Sequence, residues 1–326
     1  MDTGTPIRLY FMIADHFEPY WNGAGKSEAL RRTANWISRY PEIASRFKDS
    51  EGRSPRHTFF FPEEEYDAEI IAMLARHCKE GFGDVEIHLH HDRDTSEGLR
   101  RKLVSFRDRL HEEHGLLRRE EEKGRILYGF VHGNWALDNS RKDGRYCGVN
   151  DEIRILGETG CYADFTLPSA PSDTQTKKIN SIYYAVEDPA LPKSHDDGID
   201  VEARKAQRGD LMIVQGPLGL DWYARKFGIF PRIENSEICQ DHPAADHRVH
   251  LWKRYAPKVK GMPNHLFIKV HTHGCQESNQ RYLLEERGLD HLYGLLEDVC
   301  GKNGWRLHFV TAYEMFKIIK CLEAGF

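Results

Sequence analysis

The sequence predicts an α/β fold built on parallel strands, and three observations predict it. Apolar extended runs alternate with segments of helical periodicity along the 326 residues, the rhythm of strand–helix–strand crossovers. The length lies within the range of one α/β barrel. Hydrophobic residues make up 40 % and charged residues 30 % of the chain, which suits one sizeable core in a soluble globular protein.

"IRLYFMIA" (7–14) reads as the first strand. The helix after it places Ala29, Thr33, Trp36, Ile37 and Tyr40 on one face, and Pro41 is expected to end it. "RHTFFF" (56–61) is a second strand. A helix follows with Ile70, Ile71, Leu74, Ala75 and Cys78 in register and Gly81 as its stop. "DVEIHLH" (84–90) is the third strand, and Leu99, Leu103, Phe106 and Leu110 mark the helix behind it, which Gly115 terminates. "RILYGFVH" (125–132) is the fourth strand. Residues 186–210 read as a polar insertion before the strand "LMIVQG". A helix near "AADHRVHLWKRYA" leads to "HLFIKVH" (265–271), and "WRLHFV" precedes a last helix that the pair Thr311 and Glu314 caps as S/T-x-x-E. Seven or eight strand candidates suit a barrel and an open sheet equally.

The formal net charge of −5 gives no electrostatic footprint for nucleic acid. No apolar run approaches the length of a membrane span. The start "MDTGTPIRLYFMIADHF" has neither a basic segment nor a small-residue cleavage site. Seven scattered cysteines without a CxxC pair read as reduced thiols of a cytoplasmic protein. The expectation is a single domain over residues 1–326.

Histidine is the outlier, with 18 residues, five of them in "EIHLHHD" and "IKVHTHG". Four apolar runs end as "MIA-DH", "EIHLH-HDRD", "GFVH-GNW" and "IKVH-THG". Each delivers a His or Asp to the carboxyl edge of the sheet, where parallel α/β folds place their chemistry. Strand alternation puts Val85, Ile87 and Leu89 against helices and Glu86, His88 and His90 on the other face. His90 is then nearest the strand end, with His88 and Glu86 deeper as hydrogen-bonding groups, and Asp94 follows in the turn. Two imidazoles and one carboxylate from separate elements suit Zn²⁺ or a related divalent ion.

These strand ends, in this order, resemble the polysaccharide deacetylase family (the NodB homology domain of carbohydrate esterases). The resemblance covers roughly residues 7–165 and 265–320. It implies an irregular (β/α) barrel of about seven parallel strands with surrounding helices. It implies a metal-dependent hydrolase that removes an acyl group from an amide or ester on a carbohydrate-like substrate, a small molecule or a glycan. In "MIADHFEP" Asp15 takes the place of the family's catalytic base and His16 that of a metal ligand. In "EIHLHHDRD" His90 is the first histidine ligand and Asp94 stands where the second is expected. "IKVHTHG" offers His271 as the catalytic acid. His132 replaces an arginine that lines the family's site, Trp135 would wall a sugar ring, and Asp164 is the nearest match to the remaining motif. The usual one-Asp, two-His set is thus permuted at positions 16 and 94. The implied cofactor is a divalent metal, Zn first and Ni, Co or Mn after it.

Two other readings share the barrel. A glycoside hydrolase needs a second acid such as Asp138 or Asp164 beside Asp15, and a non-catalytic carbohydrate-binding protein needs no metal. The HxH pairs suggest amidohydrolases less well, since those carry the motif on the first strand. Glu64 or Glu65 of "PEEEY" could reach the site, although an acid-rich helix start explains them as well. Cys275 and His273 read as lining the mouth or packing in their loop, and "HPAADHRVH" reads as surface.

Overall fold

The computed structural model describes residue 4 and residues 6–326. Its strands are β1 (Arg8–His16), β2 (His57–Pro62), β3 (Gly83–Leu89), β4 (Arg118–Arg119), β5 (Ile126–His132), β6 (Cys161–Asp164), β7 (Ile182–Ala185), β8 (Ile199–Asp200), β9 (Leu211–Val214), β10 (Gly219–Lys226), β11 (Phe230–Glu234), β12 (His265–Thr272) and β13 (Arg306–Phe309). The helices are α1 (Lys26–Ala44), α2 (Ala68–Lys79), α3 (Ser96–Glu112), α4 (Glu152–Thr159), α5 (Asp246–Tyr255), α6 (Glu277–Gln280), α7 (Gly288–Asn303) and α8 (Ala312–Ala324).

The main sheet runs β12-β1-β2-β3-β5-β6-β9-β7-β8. From β12 to β9 every pairing is parallel, so seven parallel strands form the (β/α) barrel that the motifs led us to expect. β13 pairs with the first half of β1, and β7 and β8 extend the sheet antiparallel beyond β9. Between β9 and β12 no ladder forms among the described residues. The seam is sealed by residues 236–238 instead: His271 N donates to Ser236 O at 2.9 Å and Ile238 N to His271 O at 2.8 Å. The Lys269 ammonium reaches across to the carbonyls of Phe165 and Leu167.

Alternation along the strands divides the core in two. Leu9, Phe11, Ile13 and Phe17 face the helices with Trp36, Tyr40, Phe59, Val85, Ile87, Leu89, Tyr128 and Phe130. Tyr10, Met12, Ala14, Phe60, Val131, Val214 and Phe267 face the barrel interior, where Met315, Ile319 and Leu322 of α8 join them. The last helix therefore plugs the barrel's amino end, and chemistry is left to the opposite mouth. Its predicted capping box is present, with Thr311 N donating to Glu314 Oε2 at 3.0 Å.

Three readings of the pattern change. α1 runs through Pro41 to Ala44, because Ile43 and Ala44 are buried and Ser45 N reaches Pro41 O at 3.0 Å. Residues 186–210 contain β8 and a 3₁₀ turn at Ser194–Asp196, so the polar stretch is partly paired. The β10–β11 hairpin, which carries exposed Trp222, Tyr223, Phe227 and Phe230, was not expected. All seven cysteines are free thiols. Among the described residues no helix is long and apolar enough to cross a membrane.

Candidate active site at the barrel mouth

β1 sets the geometry. His16 lies on the interior side with Ala14 and Met12, while its neighbour Asp15 points to the helix layer. There Asp15 Oδ2 accepts from His57 Nε2 at 2.9 Å and Oδ1 from Gly274 N at 2.6 Å, in a fully buried setting. Gly274 is required by close approach, since a Cβ would lie 2.2 Å from Asp15 Oδ2 and 2.6 Å from Trp36. The residue expected as a base is thus built into the wall, and it does not meet His16.

Phe17 N donates to Phe60 O, so the strand path continues and Glu18 falls on the side of His16. Glu18 is the centre of the mouth. Its Oε1 lies 3.3 Å from His88 Nε2 and 3.3 Å from His90 Nε2, and its buried Oε2 finds no hydrogen-bond partner among the described residues. His88 Nδ1 donates to Val131 O at 2.7 Å, and His90 Nδ1 meets Glu64 Oε1 at 2.5 Å. Burial works to raise the pKa of Glu18, but hydrogen bonds from His88 and His90 outweigh it and hold the carboxyl far below its usual range. Burial likewise opposes the charge on His90, but its bonds to Glu18 and Glu64 lift it to about 10.

The remaining imidazoles complete the lining. The His16 ring sits 5.0 Å from His88, 4.7 Å from His273, 6.1 Å from His271 and 6.4 Å from Trp135, centroid to centroid. Burial holds His16, His271 (to about 3) and His273 below their usual value, so all three are neutral at pH 7. Glu237, kept ionised near 2 chiefly by its bond to His242, faces His271 and His273 electrostatically. Glu65 Oε2 accepts from Tyr20 N at 2.8 Å, and burial pushes its carboxyl up to about 7.

The structure thus brings together His16, His88, His90, His271 and Trp135 from the sequence reading. Besides Asp15, three expected residues lie elsewhere. Asp94 accepts from His91 Nδ1 at 3.1 Å and from Lys102 Nζ at 2.6 Å, three residues along from His91 and away from His90. His132 continues the helix-facing side of Tyr128 and Phe130, and its Nε2 is 2.8 Å from His91 Nε2. Asp164 is buried at the end of β6, takes bonds from Thr166 and lies in reach of the Lys269 charge; burial raises it to about 7. Glu18 was missed as a site residue, and the signal was alternation, since it stands two residues after His16. His273, read as lining the mouth or packing in its loop, lies beside His16 and Trp135 at the mouth. Glu64 does reach the site, as the less favoured reading allowed. Of "HPAADHRVH", read as surface, Asp246 and His250 are exposed and His247 is half-buried with a bond to Asp221 at 3.0 Å, while Ala244, Arg248 and Val249 turn inward and Arg248 bonds Glu234.

Whether the residues fit the implied divalent cation can be judged on the donor atoms. Those of Glu18, His88 and His90 all lie within 4.8 Å of one another. With Nδ1 donating to a carbonyl, His88 can donate to Glu18 through Nε2 only as the imidazolium; the neutral ring turns a lone pair there, an arrangement that needs a cation between them. Glu18, His88 and His90 thus offer the donor types of a two-histidine, one-carboxylate set, whereas Asp94 stands apart from His90, bonded to His91 and Lys102.

No protein-family model and no curated protein matches the sequence. Among solved structures, the chain is similar to the 4-α-glucanotransferase from Thermococcus litoralis, with a TM-score of 0.50 and 10 % identity. The match covers 95 % of this chain and 40 % of that one. At that identity the likeness speaks to the barrel fold.

Proposed function

We propose that the chain is a hydrolase acting on a carbohydrate-like substrate at the barrel mouth, with a divalent cation held by Glu18, His88 and His90. The observation that supports it is the buried, unpartnered Oε2 of Glu18 beside two imidazoles from β3 and its exit. When bound, such a cation supplies Lewis acidity, polarising an acyl oxygen and acidifying water. The chain's own groups do the rest. Glu64 fixes the His90 ring through Nδ1, and Val131 O fixes His88. His271, neutral and facing the Glu237 charge, would orient the leaving group by hydrogen bonding. Trp135 offers an apolar wall to a sugar ring. Asp15 serves by positioning: through Gly274 N it fixes the loop that carries His273. An acyl group on an amino sugar is the substrate class that the deacetylase resemblance favours.

A second reading, cleavage or transfer at a glycosidic bond, is favoured by the carbohydrate-active structural neighbour. Its two carboxylates would be Glu18 and Glu237, both facing His273, since Asp138 is held apart by Ser194 N at 2.6 Å. Incubating the protein with acetylated amino sugars and with oligosaccharides, each with and without a chelator, separates the two. Release of acetate that stops on chelation supports the first reading. Chelator-resistant oligosaccharide cleavage supports the second. Inactivity on both panels together with unchanged metal content in His90→Ala sinks the first.

A further inference from the structure

Behind the mouth, on the helix side of the sheet, a second donor cluster plays no part in the chemistry proposed above. His91 follows β3, His132 ends β5, Cys147 lies in the long connection after β5, and Glu152 opens α4. All four are buried, and their donor atoms lie within 4.8 Å of one another. His91 Nδ1 donates to Asp94 Oδ2 (3.1 Å), an oxygen that also takes the Lys102 ammonium (2.6 Å) and so is a committed acceptor. His132 Nδ1 donates to Gly133 O at 2.7 Å. Both rings therefore carry their proton on Nδ1, and in their neutral forms both present a lone pair on Nε2. Those two Nε2 atoms face each other at 2.8 Å. Two lone pairs at that distance repel unless something positive lies between them.

The surrounding groups point the same way. Glu152 Oε1 is 3.3 Å from His91 Nε2, yet it makes no hydrogen bond among the described residues although the residue is fully buried. Oε2 of the same carboxylate is 3.4 Å from His132 Nε2 and 3.4 Å from Cys147 Sγ. The backbone N–H groups of Asn139 (3.3 Å) and Val149 (3.5 Å) point at Cys147 Sγ, while burial and the Glu152 carboxylate push the thiol up, so that a bound cation would displace its proton. Asp138 N holds Glu152 Oε2 at 2.6 Å. Each donor is thus oriented by a neighbour, as the outer groups of metal sites orient their ligands.

We propose that His91, His132, Cys147 and Glu152 bind one divalent cation of the Zn²⁺ class as a structural clamp. One thiolate, one carboxylate and two neutral imidazoles balance a double positive charge, which makes the cluster neutral and its burial tolerable. Four protein donors leave no open position, the mark of a structural site, and sulfur with nitrogen favours Zn²⁺ over Mg²⁺ or Ca²⁺. The clamp ties the connection 133–151 to the ends of β3 and β5, and that connection carries Trp135 into the mouth. This site is independent of the cation proposed at Glu18, whose ligands contain no sulfur.

That difference supplies the test. The full chain is produced in cobalt-supplemented medium and its absorption recorded. A thiolate-to-cobalt charge-transfer band in the near ultraviolet is expected, retained in Glu18→Gln and lost in Cys147→Ser. Absence of the band, or a band that survives Cys147→Ser, overturns the proposal without touching the reading of the mouth. Should Cys147→Ser fail to fold, Asp94→Asn is the second variant. It keeps all four donors and is expected to weaken zinc retention against a competing chelator by about 10–100-fold. Unchanged retention overturns the proposal. Zinc should also slow alkylation of Cys147 in the wild-type protein, and equal rates with and without zinc count against it.

Discussion

His77 offers the sharpest quantitative test of the packing between the second strand and its helices. Its ring lies in α2 against Phe82, Phe59 and Tyr40, at centroid distances of 5.3, 5.8 and 5.9 Å. It is 1 % exposed, and neither ring nitrogen has a hydrogen-bond partner among the described residues. Burial, helped by the neighbouring His57, lowers its pKa from 6.5 to about 4. The folded value lies below the unfolded one, so between them the unfolded chain binds the extra proton. The stability contribution is therefore complete above pH 6.5, falls as the pH drops through that window, and levels off below about 4. At about 1.4 kcal/mol per tenfold change in proton affinity, the whole span is worth about 3 kcal/mol, of which about 2 should be lost by pH 5. Carboxylates titrate in the same range, so the comparison must be with His77→Phe, which keeps the aromatic contacts and removes the proton site. Urea unfolding at pH 7.5 and pH 5 should show the wild type losing about 2 kcal/mol more than the variant. Equal losses in the two proteins would refute the reasoning.

Three further outcomes follow from the site. Glu18→Gln keeps the side chain's shape but removes the charge between His88 and His90. The unfolding midpoint should drop, because His90 loses one of the two carboxylates that hold its proton. Turnover per folded molecule should fall by about 10²–10⁴-fold, whereas full activity would remove Glu18 from the chemistry. Asp15→Asn weakens charge-assisted bonds to His57 and Gly274, so it should cost about 1–3 kcal/mol of stability in urea unfolding. Activity per folded molecule should stay within about tenfold, whereas collapse of kcat at unchanged stability would restore Asp15 as a base. Gly274→Ala drives a methyl into Asp15 and Trp36 and should destabilise by about 1–3 kcal/mol, measured as a lowered Tm.

The barrel was legible in the sequence because its signals are local. Strand runs alternate, helices repeat their apolar residues every three to four positions, and Thr311 with Glu314 announces a cap. Alternation also predicted correctly that His88 and Glu86 lie below His90: Glu86 bonds Gly129 N at 2.5 Å and Tyr162 at 2.8 Å, deep in the barrel. Local signals failed where two residues of one motif part company. Asp15 and His16 are adjacent, so the pleat sends one to the helices and the other to the mouth. His90 and His91 divide in the same way, and Asp94 follows His91. Cys147 and Glu152 have no legible spacing at all, because the connection that carries them turns through left-handed residues Asn134, Trp135, Asp138 and Asn139 and comes back by tertiary contact alone. The 186–210 stretch was opaque for a related reason, its order resting on pairing with β7.

β1 is held along its edges by three strands: residues 8–15 align with β12, residues 8–11 with β13 and residues 14–16 with β2. A period of two makes a one-residue slip an exchange of faces. In this strand such a slip would bury an imidazole against Trp36 and present Asp15 to the mouth, swapping the two groups most different in charge. The register of β1 is therefore an instruction about chemistry as well as about packing. A single-residue insertion in β1 before Asp15 would rewire the mouth while leaving every side chain of the mouth present in the chain.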